Sequence, residues 1–245
     1  MITRDDALAL DAADPLASFR DRFHIPNPDV VYLDVNSLGM PPKRTIERLR
    51  EIYEDDWATG LIRSWDHWVD MPQRVGDVLA PLIGAHAGEV ALHDNTTLNV
   101  YQAAHAAIGL RPDRRVIAIS EHDFPTDRYV VDGIAAATGH TVRHGFDRLD
   151  DVAVAVRSVI DYRTAELVDV KAETERATDA GAVVVWDLSH AVGAIDIDLH
   201  DCGVQLAIGC SYKFLNGGPG APAWTWLPGC CDRTPSAGRL ARSRA

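Results

Sequence analysis

Seven short strand-like runs, most of them apolar and most separated by helix-compatible stretches, constrain this chain more than any other feature. They lie at residues 89–93, 115–120, 141–145, 152–156, 182–186, 204–209 and 221–227. Runs with little polar alternation suit strands buried on both faces, as in a parallel sheet covered by helices. Residues 97–108, closed by Gly109, and residues 168–180, closed by Gly181, have helical character between such runs. Strand and helix in alternation predict βαβ crossovers, and hence an α/β fold with a mostly parallel seven-stranded sheet flanked by helices. A chain of 245 residues is long enough for one large domain of this kind and short for two.

Ahead of the sheet, residues 1–70 read as an N-terminal arm. They are polar, are punctuated by Trp57, Trp65 and Trp68, and have a strand-like pattern only at Val30-Val31-Tyr32-Leu33. Residues 71–228 hold the expected large domain. It opens with Val75, Val78, Leu79, Leu82 and Ile83, whose spacing predicts an amphipathic helix kinked at Pro81. Residues 229–245 carry one large aliphatic side chain and four arginines, too little apolar area to order a tail.

The balance of 36 acidic against 24 basic residues gives a net charge of −12, with no basic run to track a phosphate backbone, so nucleic acid is excluded as a partner. No signal-peptide pattern follows Met1, and no apolar run approaches the ~20 residues of a membrane span. The expected location is cytoplasmic, away from membranes. Cys202, Cys210, Cys230 and Cys231 lack both a Cys-x-x-Cys ladder and a zinc-ligand spacing with histidine, so they are expected to be reduced thiols with no metal role.

Two residues at strand ends carry the sharpest chemistry. Asp187 closes Val183-Val184-Val185-Trp186-Asp187, and Lys213 sits in Ser211-Tyr212-Lys213-Phe214-Leu215-Asn216-Gly217-Gly218-Pro219-Gly220, just past the next apolar run. An amine able to form a Schiff base and a carboxylate able to hold a pyridinium nitrogen are what a pyridoxal 5'-phosphate site needs. Neighbouring parallel strands end at one edge, where ligands bind, so both groups are expected to face one pocket. Asp94-Asn95-Thr96-Thr97 opens a helix after the first strand. It either caps that helix or meets an anion with its hydroxyls and free N–H groups. Phe124-Pro125-Thr126-Asp127 follows the second strand, as a Pro turn capped by Thr126 or Asp127 or as an aromatic face with a nearby charge. His190 is a loop histidine or an aid to the cofactor, and Tyr212 packs, bonds a phosphate or moves protons.

These segments resemble the kynureninase family of the aspartate-aminotransferase-like, class V pyridoxal phosphate enzymes. The resemblance also takes in Tyr32-Leu33-Asp34-Val35-Asn36-Ser37-Leu38-Gly39, Trp65, Trp68 and Asp161-Tyr162-Arg163-Thr164. It implies that Lys213 carries pyridoxal 5'-phosphate, that Asp187 pairs with the ring nitrogen and that Phe124 stacks on the ring. Thr96, Thr97 and Tyr212 would bind around the phosphate, with Asp127, Ser158 and His190 lining the cofactor. The implied reaction is hydrolysis of L-kynurenine or its 3-hydroxy form to L-alanine and an anthranilate, part of tryptophan catabolism and NAD biosynthesis, in a homodimer. Val35 and Ala165 stand where the family commonly has glycine, and residues 145–154 form a shortened connection. The family also continues into a C-terminal domain that helps bind substrate, and that domain is not expected here. The rivals are a cysteine desulfurase or another class V enzyme, and a truncated chain without activity.

Overall fold

The computed structural model describes residues 2–229; residues 230–245, including Cys230, Cys231 and most of the expected tail, lie outside the described residues. The helices are α1 (Arg4–Ala13), α2 (Lys43–Glu51), α3 (Trp65–Trp68), α4 (Met71–Leu79), α5 (Thr96–Leu110), α6 (Pro125–Thr138) and α7 (Val170–Asp179). The strands are β1 (Val90–His93), β2 (Val116–Ile119), β3 (Thr141–His144), β4 (Val152–Ser158), β5 (Val183–Asp187), β6 (Leu206–Gly209) and β7 (Ala223–Trp226). All seven expected strands form one sheet in the order β1-β7-β6-β5-β4-β2-β3. From β6 to β3 the pairs are parallel, whereas β7 runs antiparallel to both β6 and β1. The sheet is therefore mixed at one side.

The period of two along the strands sorts the core into two layers. Ile117, Ile119, Val154, Val156, Val183, Val185, Leu206 and Ile208 face α5 and α6, which contribute Val100, Ala104, Val131 and Ile134. Ala118, Val184, Trp186, Ala207, Trp224 and Trp226 face the opposite layer, with Leu79, Ile83, Val170 and Leu199. Small residues on α5 let it approach the sheet closely. In β6, Gly209 makes room for the Trp224 ring of the neighbouring strand, which a Cβ there would strike.

Several local expectations change. Gly109 lies inside α5, whose C-cap is Arg111. At Pro81, which lacks the N–H an α-helix needs, α4 gives way to a 3-10 turn over Ala80–Ile83, ended by Gly84 at φ +65°. Only part of the apolar stripe is buried: Leu79 and Ile83 enter the core, while Val78 is 77% exposed and Val75 and Leu82 are also exposed. Val30-Val31-Tyr32-Leu33 forms no strand and lies open to solvent. None of the helices among the described residues is long and apolar enough to cross a membrane.

Candidate active site

The C-terminal ends of the strands place the candidate residues along one edge. β4 ends at Ser158 beside Asp187, the end of β5, because the two are register partners. β6 ends at Gly209 and leads into Cys210-Ser211-Tyr212-Lys213, while β1 and β2 deliver the N-termini of α5 and α6. One cleft is bordered by Thr96 and Thr97, by Phe124, Thr126 and Asp127, and by Asp187, Ser189, His190, Tyr212 and Lys213.

Lys213 is only 6% exposed, and its Nζ lies 2.6 Å from His190 Nε2. The amine also faces the Phe124 and Tyr212 rings, at 5.6 and 5.8 Å from their centroids. Burial lowers the pKa of Lys213, although Asp187 and Asp127 favour its charged form. Burial likewise lowers His190, with the charge on Lys213 acting in the same direction. An amine that gives up its proton more readily than an exposed lysine is the nucleophile that Schiff-base chemistry uses. Burial pushes the Tyr212 phenol up to about 12, so it remains a donor across the neutral range.

The lysine loop is fixed from both sides. Gly217 donates its N–H to Ser211 O at 2.8 Å, and Asn216 takes φ +58°. From the arm, Gly39 donates its N–H to Tyr212 O at 2.9 Å. A Cβ on Gly39 would overlap the Lys213 carbonyl and the Asn216 side chain, so glycine is required by this close approach.

Three carboxyls gather behind the cleft. Asp187 Oδ1 accepts the Ser189 N–H at 2.8 Å, an i to i+2 turn that orients the carboxylate at the strand end. Asp123 joins β2 to β4 by accepting N–H bonds from Ser120 and Ser158, each 3.0 Å long, and burial raises its pKa. Asp127 is 2% exposed, and its Oδ2 has no hydrogen-bond partner. Burial, joined by the charges of Asp187 and Asp123, raises its carboxyl well above the ordinary range. Asp127 is thus a buried acid with an unused polar atom at the border of the cleft.

Opposite these acids, Asn95 caps α5 by accepting the Leu98 N–H at 3.0 Å. The capping reading holds, yet one cap leaves most first-turn N–H groups of α5 without intrahelical partners beside Thr96 and Thr97. Those groups and the helix dipole favour an anion there. The α6 start differs from expectation. Phe124 is the N-cap with Pro125 following, neither Thr126 nor Asp127 caps, and the Phe124 ring borders the cleft. A buried amine, a carboxylate, a flat aromatic face and a helix N-terminus suited to an anion match the chemistry of a phosphorylated pyridine aldehyde.

No family model matches the chain. The kynureninase of Pseudomonas fluorescens is 41% identical over 253 residues, covering 96% of this chain and 60% of that protein. The kynureninase of Burkholderia pseudomallei (strain 1106a) is 42% identical over 248 residues, covering 93% and 58%. By sequence, this chain is similar to the kynureninases along most of its length. It spans about 60% of the length of the curated kynureninases it matches. The fold is shared more widely. A C-DES mutant with glycine covalently linked to its PLP cofactor aligns with TM-score 0.71 at 15% identity, over 83% of this chain and 58% of that one. The cysteine desulfurase of Thermococcus onnurineus aligns at 0.67 and 16%, over 93% and 57%.

The two positions where the resemblance leads one to expect glycine have different structural weight. Val35 adopts no positive φ, so a β-branched residue is accommodated, whereas Ala165 sits at φ +59°, where glycine would be relaxed. Of the residues expected at the site, Ser158 alone borders a neighbouring depression, with Asp123, Arg157 and Asp161, and lies outside the Lys213 cleft. Ser189, Thr126, Asp123 and Gly39 were not among the expected site residues. The Ser189 contact was within reach of sequence reasoning, since an aspartate at a strand end commonly accepts the backbone N–H two residues on. Cys210, which the sequence places near the site, is buried beneath it with Sγ 3.7 Å from Ser189 O.

Proposed function

We propose that this chain works as a kynureninase, a pyridoxal 5'-phosphate-dependent hydrolase that cleaves L-kynurenine or 3-hydroxykynurenine to L-alanine and the matching anthranilate. The observation that carries the reading is the buried Lys213 amine, paired with His190 and sharing a cleft with Asp187. The identity to the kynureninases of Pseudomonas and Burkholderia supports the choice of reaction.

Lys213 would hold the cofactor covalently and, once displaced by substrate, move protons at the substrate carbon. Asp187 would keep the ring nitrogen protonated, while the Phe124 face covers the ring and the α5 N-terminus with Thr96 and Thr97 takes the phosphate. Tyr212, His190 and Asp127 would bond the remaining polar groups of cofactor or substrate, and Ser158 acts from its place beside Asp187. The bound cofactor supplies an electron sink for the carbanion left when water cleaves the side-chain ketone. Residues 71–228 serve as the cofactor-binding domain and residues 1–70 as the arm that buttresses the lysine loop. A cytoplasmic homodimer belongs to the same reading, supported by the large side chains that the arm leaves exposed.

A cysteine desulfurase is the rival that the shared fold keeps in view, but it needs an exposed, reactive thiol. Of the two described cysteines, Cys210 is buried and Cys202, partly exposed, does not border the Lys213 cleft, and burial raises the pKa of both. Reduction with borohydride after adding pyridoxal 5'-phosphate should label the peptide containing Lys213, and kynurenine should yield anthranilate fluorescence. Label on another lysine would reject the site. Sulfide release from cysteine without anthranilate would favour the rival.

A further inference from the structure

The loop after β4 and Val159-Ile160 is built more rigidly than a connection requires. Asp161 Oδ1 accepts N–H bonds from Arg163 at 2.7 Å and Thr164 at 2.9 Å, and its backbone pairs with Glu166 and Ala165. Ile160 and Leu167 form an antiparallel bridge at its base, and Ala165 is held at φ +59°. Strain of this kind persists where surrounding bonds over-determine the backbone, often at functional positions.

The side chain this loop presents is Tyr162. Its ring meets Phe124 edge-on at 5.2 Å and stacks over His190 at 6.5 Å with 23° between planes, inside the range of favourable aromatic pairs. Its hydroxyl accepts the Arg163 Nε–H at 2.8 Å, and the Arg163 guanidinium lies 5.2 Å from the ring centroid. Among the described residues, no carboxylate forms an ion pair with Arg163, and its guanidinium bonds the Tyr162 phenol instead. Two residues that border the Lys213 cleft are therefore braced by one ring outside its lining.

We infer that Tyr162 is a positioning residue of this site, mounted on the 161–166 loop so that its ring, rather than its hydroxyl, holds the His190 imidazole against the Lys213 amine. An imidazole free to swing would leave the 2.6 Å contact, and water would enter between the two nitrogens. The charged groups that act on His190 are Lys213 and Asp187, and Tyr162 adds no charge of its own. Its effect runs through shape and exclusion of water.

The test has two arms, the second of which alone rests on Lys213 being the cofactor lysine. In the cofactor-free chain with labelled histidine, the His190 imidazole resonance, assigned by its loss in His190→Asn, is titrated by NMR. Tyr162→Ala should move that titration up toward the ordinary histidine value by roughly half a unit or more, as water reaches the ring. Tyr162→Phe keeps the ring and should titrate as the unaltered chain does. In the second arm, pyridoxal 5'-phosphate is added and the visible band of the lysine-bound cofactor is followed against pH. Its midpoint should shift in Tyr162→Ala and hold in Tyr162→Phe. If Tyr162→Ala does not fold by circular dichroism, Tyr162→Leu, similar in bulk but without the flat face, replaces it. Unchanged titration of His190 in the folded variant overturns the inference, as does a Phe variant that behaves like Ala. A moved His190 with no visible band in the unaltered chain would overturn the cofactor reading and leave the positioning role standing.

Discussion

Asp127 shows how one buried group ties site chemistry to stability. Its folded pKa lies above the unfolded value of 3.8, so the folded chain keeps a proton that the unfolded chain has already lost. Its contribution to stability is full below pH 3.8 and is lost as pH rises through the folded pKa. Asp127→Asn removes that loss with nearly the same shape. In the cofactor-free chain the variant should melt roughly 2–4 °C higher than the parent at pH 7.5, with the gap closing near pH 4. A gap that does not grow with pH would show that Asp127 ionises freely. Ala165 offers a second test at this scale: glycine relaxes φ +59°, so Ala165→Gly should stabilise by about 1 kcal/mol in chemical denaturation. Lys213 and Asp187 were legible from the sequence because each ends or follows an apolar run. Tyr162 and Gly39 gained no role there, since their partners, His190 and Tyr212, are brought to them only by tertiary packing.

Among elements, β1 depends on a polar anchor. Glu89, 5% exposed, stands just before that strand and accepts bonds from the His86 N–H, the Gly229 N–H, the Trp226 indole and His200. Burial works to raise its pKa, but these donors outweigh it and bring it from 4.5 down to about 2. The resulting stability is present above pH 4.5 and is lost as pH falls toward 2. Glu89→Gln should cost roughly 2–3 kcal/mol at pH 7, and the acid limb of its stability curve should be shallower. Equal slopes for parent and variant between pH 4.5 and 2 would rule out this anchor. The strands themselves were legible because burial on both faces leaves an uninterrupted apolar run, seen most clearly in β4 and β5. The direction of β7 was not, because a buried strand has the same composition whichever way it runs. The stripe at Val75, Val78 and Leu82 misled for a related reason: spacing marks an apolar face but does not identify what covers it.

At the scale of the whole molecule, the sheet is packed on both faces while the arm and α4 remain open. Ile62 is 80% exposed, Val78 77%, Trp57 61% and Trp65 57%. Light scattering across a concentration series should show a mass rising toward two chains, and Ile62→Glu with Val78→Glu should hold it at one. Because both positions are exposed, the double variant should keep its melting temperature at low concentration. A mass of one chain throughout would remove the homodimer from the functional reading.

The place of β7 between β6 and β1 has a consequence for how the chain acquires its shape. β1 is made early in synthesis, yet its strand partner is β7, so Val90 must wait for Trp226. Closing so long a loop is slow compared with the local βαβ steps that build β2 to β6. During translation the central strands can assemble while β1 still presents an unpaired edge, and the α5 N-terminus that follows it settles only with the final strand. The α5 end of the cleft would then mature last, and amide protection in β1 should lag behind that in β4 and β5 during refolding.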